Sequence, residues 1–396
     1  MTKSLEILII GGGIAGCCAA IALSDQGHRV KIVEKQTEWR FQSSGIFVYA
    51  NGLVSLDALG LMDDIVAAGF AVPHGRNTYF DHHGAPIVET RYPTPDQDRI
   101  PAILGIKRAE MHRVMAARVS ALDVPLSLGT TVERIEQDAS GVDVTFSDET
   151  QGRFDLVVGA DGVRSKTRAQ IGVELSPRYT GFGVWRSVHT RPADLTDKIM
   201  MMGPAKRFGI MPISDDKLYT FGTMAEPAGA FYPPETWPTE MQARFAEFAG
   251  PARAFLEELG PETELLYTAV EEVVMPLPWH AGRVLLIGDA AHASTPFMGQ
   301  GGAMAMQDAV VLAQALGRFD ELGAALTAFG KVRYPVCEFV QNVSRAVGES
   351  GAEEIDGDLE PRNARMRETA QSAVDGFYTK LDALNAAGDA QLRSAG

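Results

Sequence analysis

The stretch Ile7-Leu8-Ile9-Ile10-Gly11-Gly12-Gly13-Ile14-Ala15-Gly16 decides the fold of this chain. Its aliphatic residues predict a buried β-strand, and the pattern Gly11-x-Gly13-x-x-Gly16 predicts a tight turn into a helix over about residues 14–27. The first glycine permits the turn, the second lets a pyrophosphate approach the backbone, and the third lets the helix pack close to the sheet. The first N–H groups of the helix, around Ile14 and Ala15, then point at the phosphates of a bound dinucleotide.

A second predicted strand, residues 29–33, leads directly into Glu34 and Lys35. At this place in a strand–turn–helix–strand unit, an acidic side chain accepts hydrogen bonds from the hydroxyl groups of a ribose. We therefore assign Glu34, with Lys35 beside it, to the binding of a dinucleotide. The stretch by itself leaves open whether that dinucleotide is FAD or NAD.

The size and composition of the chain narrow its class. Its 396 residues favour two interlocked subdomains over one, and a net charge of −15 argues against nucleic acid and anionic membranes as partners. The three cysteines, Cys17, Cys18 and Cys337, have the spacing of neither a zinc site nor a disulfide framework. We therefore predict no metal site and a cytoplasmic location. No segment approaches the length of a transmembrane helix.

Strand-like and helical patterns predict an α/β fold with a discontinuous Rossmann-like dinucleotide-binding domain, an inserted β-sheet substrate domain and a helical C-terminal region. The predicted dinucleotide-binding domain comprises residues 1–75, 100–175 and 270–330. The β-rich domain comprises residues 76–99 and 176–269, and the helical region comprises residues 331–396. A polar break near residues 353–361 interrupts the helical pattern, and the acidic residues around it predict a solvated connector. These residues are Glu349, Glu353, Glu354, Asp356 and Asp358.

Two further motifs decide the cofactor. Asp161-Gly162 follows a predicted strand at residues 154–158, and Gly288-Asp289 follows another at residues 283–287. A carboxylate at Asp289 suits the hydroxyl groups of a ribityl chain, which FAD has and NAD lacks. The glycines of the next turn are Gly299, Gly301 and Gly302. The helix that opens there directs the positive end of its dipole at the anionic edge of a flavin.

These three motifs, in this order and spacing, resemble those of the class A single-component flavoprotein monooxygenases. The resemblance extends along most of the chain and includes Ser44-Gly45-Ile46 and the helix start at Arg108. It implies a fold like that of the 4-hydroxybenzoate and salicylate hydroxylases, with FAD bound noncovalently. It also implies that Glu34 binds the adenosine ribose and that Val132 offers backbone contacts to adenine. Gly45, Ile46 and Arg108 would lie near or along the FAD. Asp161 would serve both FAD and NAD(P)H binding, and Asp289 would bind the ribityl–pyrophosphate region.

The activity that this resemblance implies is hydroxylation of a small aromatic molecule, either phenolic or N-heteroaromatic. NAD(P)H, a transient co-substrate, reduces the flavin; O₂ then forms a C4a-hydroperoxyflavin, whose distal oxygen is transferred to the ring. The cofactor carries this chemistry, so no protein nucleophile is required and no catalytic side chain is assigned. His292 is expected to be structural or adjacent to the cofactor. Open alternatives are an epoxidase or polycyclic-antibiotic hydroxylase on the same scaffold, and a noncatalytic dinucleotide-fold binding protein.

Five residues are candidates for the substrate pocket. Arg186, on a predicted strand, would hold a carboxylate or phenolate, with a surface arginine as an equal alternative. Tyr219 and Phe221 share one face of a predicted strand, where they would line an aromatic pocket or pack in the core. Pro296 and Phe297 precede the glycine turn and would form a wall of the pocket.

Overall fold

The structure, a computed structural model, describes residues 4–39, 44–96, 98–352 and 357–395. Its strands in chain order are β1 (Glu6–Ile10), β2 (Arg29–Glu34), β3 (Gly45–Tyr49), β4 (Phe70–Ala71), β5 (Arg76–Asp81), β6 (Pro86–Arg91), β7 (Ile103–Lys107), β8 (Leu126–Leu128), β9 (Val132–Gln137), β10 (Val142–Phe146), β11 (Gln151–Phe154), β12 (Leu156–Gly159), β13 (Arg178–Thr190), β14 (Lys198–Met202), β15 (Lys206–Pro212), β16 (Lys217–Ala225), β17 (Leu265–Glu272), β18 (His280–Ala281) and β19 (Val284–Leu286). Its α-helices are α1 (Ile14–Asp25), α2 (Ala50–Ala58), α3 (Met62–Ala68), α4 (Arg108–Ala121), α5 (Lys166–Gln170), α6 (Trp237–Arg244), α7 (Arg253–Glu257), α8 (Asp289–His292), α9 (Gly301–Arg318), α10 (Leu322–Ala352) and α11 (Glu360–Ala395). Short 3-10 helices lie at Pro73–Gly75, Pro234–Thr236, Gly250–Ala252 and Pro296–Met298.

A six-stranded sheet carries the first glycine turn. Its strand order is β18-β19-β12-β1-β2-β8, and β1 pairs in parallel with both β2 and β12. Ile7 and Ile9 pack in the core that contains α1, whereas Leu8 and Ile10 pack against the three-stranded sheet β11-β10-β9. Burial on both faces explains why β1 is a continuous apolar run. After the inserted sheet the chain returns here, because β19 pairs in parallel with β12.

A seven-stranded sheet, β17-β13-β16-β15-β14-β5-β6, forms the inserted part of the fold. Trp185, Phe208 and Leu218 pack with Phe245 and Phe255, which come from the segment of α6 and α7, in a separate hydrophobic core. Side chains alternate along a strand, so the residues between these point to the opposite face. That opposite face lies against β3, which belongs to the three-stranded sheet β3-β7-β4.

One predicted strand, residues 154–158, is two strands in the structure. Strand β11 pairs with β10, whereas β12 joins the six-stranded sheet, and Asp155 lies between them. The backbone N–H of Asp155 donates to the carbonyl of Glu6 at 2.8 Å, and the carboxylate accepts from the N–H of Glu6 at 2.9 Å. These two bonds position the chain where it passes from one sheet to the other, and the local pattern of residues 154–158 does not reveal this contact with Glu6.

The C-terminal part is helical and packs on α9 and on the seven-stranded sheet. Helix α10 packs on α9 and α11, and α11 runs beside β6. Gln371 and the backbone of Arg91 exchange hydrogen bonds at 2.8 and 2.9 Å. Of the predicted acidic connector, residues 353–356 lie outside the described residues. In the described ranges no helix is long and apolar enough to cross a membrane.

The predicted α/β fold with an inserted sheet and a helical C-terminal region is confirmed. The residue boundaries given above for its domains stay a prediction.

Candidate active site

The first turn requires glycine at both ends. Gly11 has a φ of +105°, and a Cβ there would lie 2.5 Å from the carbonyl oxygen of Ala160. A Cβ at Gly16 would lie 1.9 Å from the carbonyl oxygen of Gly11, so α1 packs this closely only with glycine. Gly13 is the N-cap of α1, and among the described residues no side chain caps this helix. Its first N–H groups, at Ile14 and beyond, therefore suit an anionic phosphate.

Glu34 ends β2 beside this turn. Its carboxylate accepts hydrogen bonds from the backbone N–H of Gly12 at 2.8 Å and of Gln36 at 3.0 Å. Trp39 donates from Nε1 to the carbonyl of Gly12 at 3.0 Å. These contacts fix the carboxylate at the edge of the turn, where its remaining lone pairs suit hydroxyl groups. Lys35, beside it, is exposed.

Asp161 follows β12, and its carboxylate contacts the start of α5. It accepts hydrogen bonds from the hydroxyl of Ser165 at 2.5 Å, and from the N–H and the hydroxyl of Thr167 at 3.0 Å each. These bonds give Asp161 a structural role at a helix N-terminus, and its role toward FAD or NAD(P)H stays a prediction. Val132 is buried and its carbonyl accepts from Gln170 Nε2 at 3.3 Å, so its adenine contact also stays a prediction.

Gly288, in the third motif, packs closely against α1, which follows the first motif. It has a φ of +58°, and a Cβ there would lie 2.9 Å from the Cβ of Ala15 in α1. Asp289 is exposed, although Gly288 and Ala290 on either side of it are buried. An exposed carboxylate between buried neighbours, close to the start of α1, suits the hydroxyl groups of a ribityl chain.

A buried ionic cluster behind Asp289 was not predicted from the sequence. Asp308 of α9 accepts hydrogen bonds from His292 Nε2 at 2.6 Å, from Arg333 Nε at 2.8 Å and from the N–H of Gly288 at 2.8 Å. Burial alone would lower the pKa of His292, but Cys337 and Asp308 raise it well above its usual value. Burial alone would raise the pKa of Asp308, but the charges of His292 and Arg333 lower it to about 2.

This cluster brings together possible metal ligands. The ligand atoms of His292, Asp308 and Cys337 lie within 4.8 Å of one another. Arg333 already neutralises the carboxylate of Asp308, and a guanidinium at this distance opposes a bound cation. The arrangement therefore suits a structural ion-pair network, and the absence of a metal site stays a prediction.

The glycine turn before α9 lies against β3 and leaves space beside Gly301. Gly299 has a φ of +64°, and a Cβ there would lie 2.2 Å from the ring of Phe47. A Cβ at Gly301 would have no described atom nearer than 3.8 Å, and one at Gly302 would lie 3.3 Å from Ile46. No described side chain caps α9, so its first N–H groups are available to the anionic edge of a flavin.

Three predicted pocket residues share one face of the seven-stranded sheet. The register pairs Arg186 with Phe221, and Tyr219 lies two residues earlier on β16. A Cβ at Gly45 would lie 2.3 Å from the ring of Tyr219, and the rings of Phe221 and Phe47 are 5.8 Å apart. The structure thus brings Arg186, Tyr219 and Phe221 together with β3 and with the glycine turn before α9.

Positive charge is concentrated on this face. Burial lowers the pKa of Arg108, and the nearby guanidinium of Arg186 lowers it further, while Asp289 acts in the opposite direction. Burial raises the pKa of Tyr219, and the two arginines counteract that rise. Two neighbouring guanidinium groups beside a phenol form a site that a bound anion stabilises.

Phe297 and Pro296 lie at the edge of the same face. Pro296 begins a 3-10 helix, and the ring of Phe297 is 4.9 Å from that of Phe182. The guanidinium of Arg207 lies 5.9 Å from the centroid of Phe297. Arg207 pairs with Thr223, two residues along from Phe221, and therefore shares its face. Arg207 was not predicted from the sequence, although the alternation along β15 could have placed it here.

A family model described as FAD binding domain matches residues 4–324. Over 381 residues the chain is 32% identical to aurachin C monooxygenase/isomerase of Stigmatella aurantiaca, with 95% of this chain and 97% of that protein covered. Over 373 residues it is 31% identical to 2-heptyl-3-hydroxy-4(1H)-quinolone synthase of Pseudomonas aeruginosa, with 92% and 94% covered. Its fold is similar to that of Klebsiella pneumoniae HpxO complexed with FAD and uric acid, with a TM-score of 0.85, 27% identity, and 95% and 96% covered.

Proposed function

The chain belongs to the FAD-binding-domain family of flavoprotein monooxygenases, and from this premise we propose that it hydroxylates an acidic N-heteroaromatic molecule. The predicted FAD cofactor and the predicted monooxygenase activity on an aromatic substrate are confirmed by this membership, and NAD(P)H as reductant is typical of the family. The observation that supports an acidic N-heteroaromatic substrate is the position of Arg108 and Arg186 beside Tyr219.

We infer that FAD extends from the first glycine turn to the turn before α9. The glycine cradle at Gly11 and Gly16, the carboxylates of Glu34 and Asp289, and the uncapped start of α9 offer suitable groups along that line. When bound, the flavin supplies the oxygen-activating chemistry. The side chains of this chain bind and orient the substrate and keep water from it.

The charge of the site favours an acidic substrate. An N-heteroaromatic ring with an ionisable OH or N–H group becomes an electron-rich anion when it loses that proton. Arg186 would hold the ionised oxygen through a charge-assisted hydrogen bond, and Tyr219 and Phe221 would pack on the ring. A quinolone and uric acid, named for two relatives, are both N-heteroaromatic, which supports this class of substrate.

The proposal is tested with the FAD-loaded enzyme and two sets of compounds, one heteroaromatic and one carbocyclic. Urate, 4-hydroxyquinoline and 2-hydroxynicotinate are compared with salicylate and 4-hydroxybenzoate. We expect the heteroaromatic compounds to stimulate NADH or NADPH oxidation and to gain one labelled oxygen atom from ¹⁸O₂, measured by mass spectrometry. Peroxide is measured in parallel, because uncoupled oxidation releases it without hydroxylation. Oxygen incorporation only into the carbocyclic compounds would overturn the heteroaromatic assignment.

We also propose that the enzyme works in the cytoplasm. Cys17, Cys18 and Cys337 are free and buried, which supports a reducing compartment. Fractionation of the native host, followed by detection of this protein with an antibody, tests the location, and recovery in an extracellular fraction would contradict it.

A further inference from the structure

Lys198 begins β14 and lies on the same face of the sheet as the candidate pocket. The register pairs Met200 with Gly209, and Gly209 pairs with Phe221 on β16. Paired residues point to the same side of a sheet, and residues two apart on a strand do so as well. Lys198 therefore faces the same way as Phe221 and its partner Arg186.

Aromatic side chains enclose the amine of Lys198. Its Nζ donates to the hydroxyl of Tyr49 at 3.1 Å and to that of Tyr92 at 3.3 Å, and it lies 5.0 Å from the centroid of Phe47. The residue is buried, and no carboxylate among the described residues is bonded to it. A protonated Lys198 is thus a buried charge whose hydrogen-bond partners are neutral, which is costly.

Phe47 separates this amine from the pocket. One neighbour of its ring is Phe221, at 5.8 Å, and a Cβ at Gly299 would also touch it. Lys198 is another neighbour of the same ring. An anion that binds between Phe221 and the glycine turn would therefore act on Lys198 across one aromatic ring. Because the amine of Lys198 is buried, solvent and salt screen this attraction less than they would at the surface.

We propose that Lys198 takes up a proton when an anionic substrate binds, and so supplies part of the charge that balances the anion. This inference rests on the proposed function, because it requires a substrate that binds as an anion. The amine takes the proton from solvent when the substrate arrives ionised. When the neutral form enters, the ring OH or N–H supplies it. Lys198 is a positioning residue in this role, since it acts across Phe47.

Among Lys198 and the tyrosines around it, Lys198 is the group that titrates near neutral pH. Burial lowers its pKa to about 7. The neighbouring phenols come from four segments, and burial raises the pKa of each: Tyr49, Tyr79, Tyr92 and Tyr378. They therefore stay protonated at that pH. Two charged groups also change these pKa values: Arg207 lowers that of Tyr79, and Asp382 raises that of Tyr378.

Calorimetry of the FAD-loaded enzyme tests the inference without turnover. Urate is titrated at about pH 7.5 in buffers of different ionisation enthalpy, and the slope of the heat against that enthalpy gives the protons taken up per site. We expect an uptake of about half a proton for the wild type. Lys198→Met should abolish the uptake and weaken urate binding about tenfold. Lys198→Arg, which is always charged, should abolish the uptake while keeping the affinity.

Lys206→Met is the matched control. Lys206 lies on the neighbouring strand β15 and is paired with Glu247 at 2.7 Å, so its replacement should leave the uptake unchanged. Wild-type binding without uptake, or an uptake that persists in Lys198→Met, would overturn the inference and leave the proposed function intact. If none of urate, 4-hydroxyquinoline and 2-hydroxynicotinate binds or is hydroxylated, the proposed function fails and the inference fails with it.

Discussion

Replacing Lys198 by Met removes a buried amine and keeps an unbranched side chain of similar length. In the folded protein, burial lowers the pKa of Lys198 from 10.5 to about 7. Between these two values the unfolded chain binds more protons than the folded protein. The stability of the wild type therefore rises with pH across this window, and part of it is lost as the pH falls toward 7. The variant lacks this dependence.

The size of the effect follows from the two pKa values. Their difference corresponds to a penalty of about 5 kcal/mol, which is complete only below pH 7, where both states are protonated. From about pH 7 to pH 9 the wild type should gain about 2 kcal/mol of unfolding free energy relative to Lys198→Met. The lost hydrogen bonds to Tyr49 and Tyr92 add an offset that does not change with pH over this range. The change with pH is therefore diagnostic, and the offset is not.

Urea unfolding at several pH values, followed by tryptophan fluorescence at saturating FAD, measures this difference. Lys206→Met provides the reference for removal of a lysine, because the amine of Lys206 is partly exposed and is paired with the carboxylate of Glu247. Between pH 7 and pH 9 the difference between the unfolding free energies of the wild type and Lys198→Met should shift by about 2 kcal/mol in favour of the wild type, whatever the sign of the offset. Parallel curves over that range would refute the reasoning, because they would mean that the amine keeps its ordinary pKa in the folded protein.

Three other substitutions test the site and its support. Gly299→Ala places a Cβ 2.2 Å from the ring of Phe47 at a φ of +64°, so we expect at least tenfold weaker FAD binding, measured by quenching of flavin fluorescence. Unchanged affinity would contradict the assignment of the turn before α9 to FAD binding. Arg186→Met should raise the KM of an anionic substrate about 30-fold with a smaller effect on kcat, whereas an unchanged KM would place Arg186 outside the pocket. Asp308→Asn leaves two buried cations, His292 and Arg333, without their counter-charge. It should therefore lower the unfolding free energy by about 3–5 kcal/mol, measured as a shift of the urea midpoint. An unchanged midpoint would show that the cluster is not ionised.

The parts of the fold that could be predicted are those whose causes are local in sequence. The turn from β1 to α1 depends on Gly11, which has a φ of +105°, and on Gly16, where a Cβ would lie 1.9 Å from the carbonyl oxygen of Gly11, five residues earlier. The end of β2 at Glu34 follows from the same short unit. Such features need no knowledge of distant segments, and the pattern therefore predicts them directly.

The missed residues depend on contacts between distant segments. Lys198 precedes an apolar run, and a lysine at the start of a strand is usually solvated. It is buried here because β14 pairs with β5, more than 100 residues away in sequence, and because Tyr92 covers the amine. The cluster of His292, Asp308 and Cys337 likewise joins three helices. No local period identifies such partners.

The two faces of the seven-stranded sheet balance charge differently. On the face covered by α6, Glu226 accepts from Arg244 at 2.8 Å and from Tyr232 at 2.6 Å, so that buried carboxylate is balanced within the chain. On the pocket face, Arg186 donates to the hydroxyl of Thr268, and Lys198 to tyrosine hydroxyls. An apolar residue would replace the weakly balanced Arg186 at little cost if stability alone mattered, and burial opposes the charged form of Lys198, so a ligand is the simplest source of negative charge for both. An anionic substrate should therefore bind more tightly than its neutral isostere, and Lys198→Met should reduce that difference.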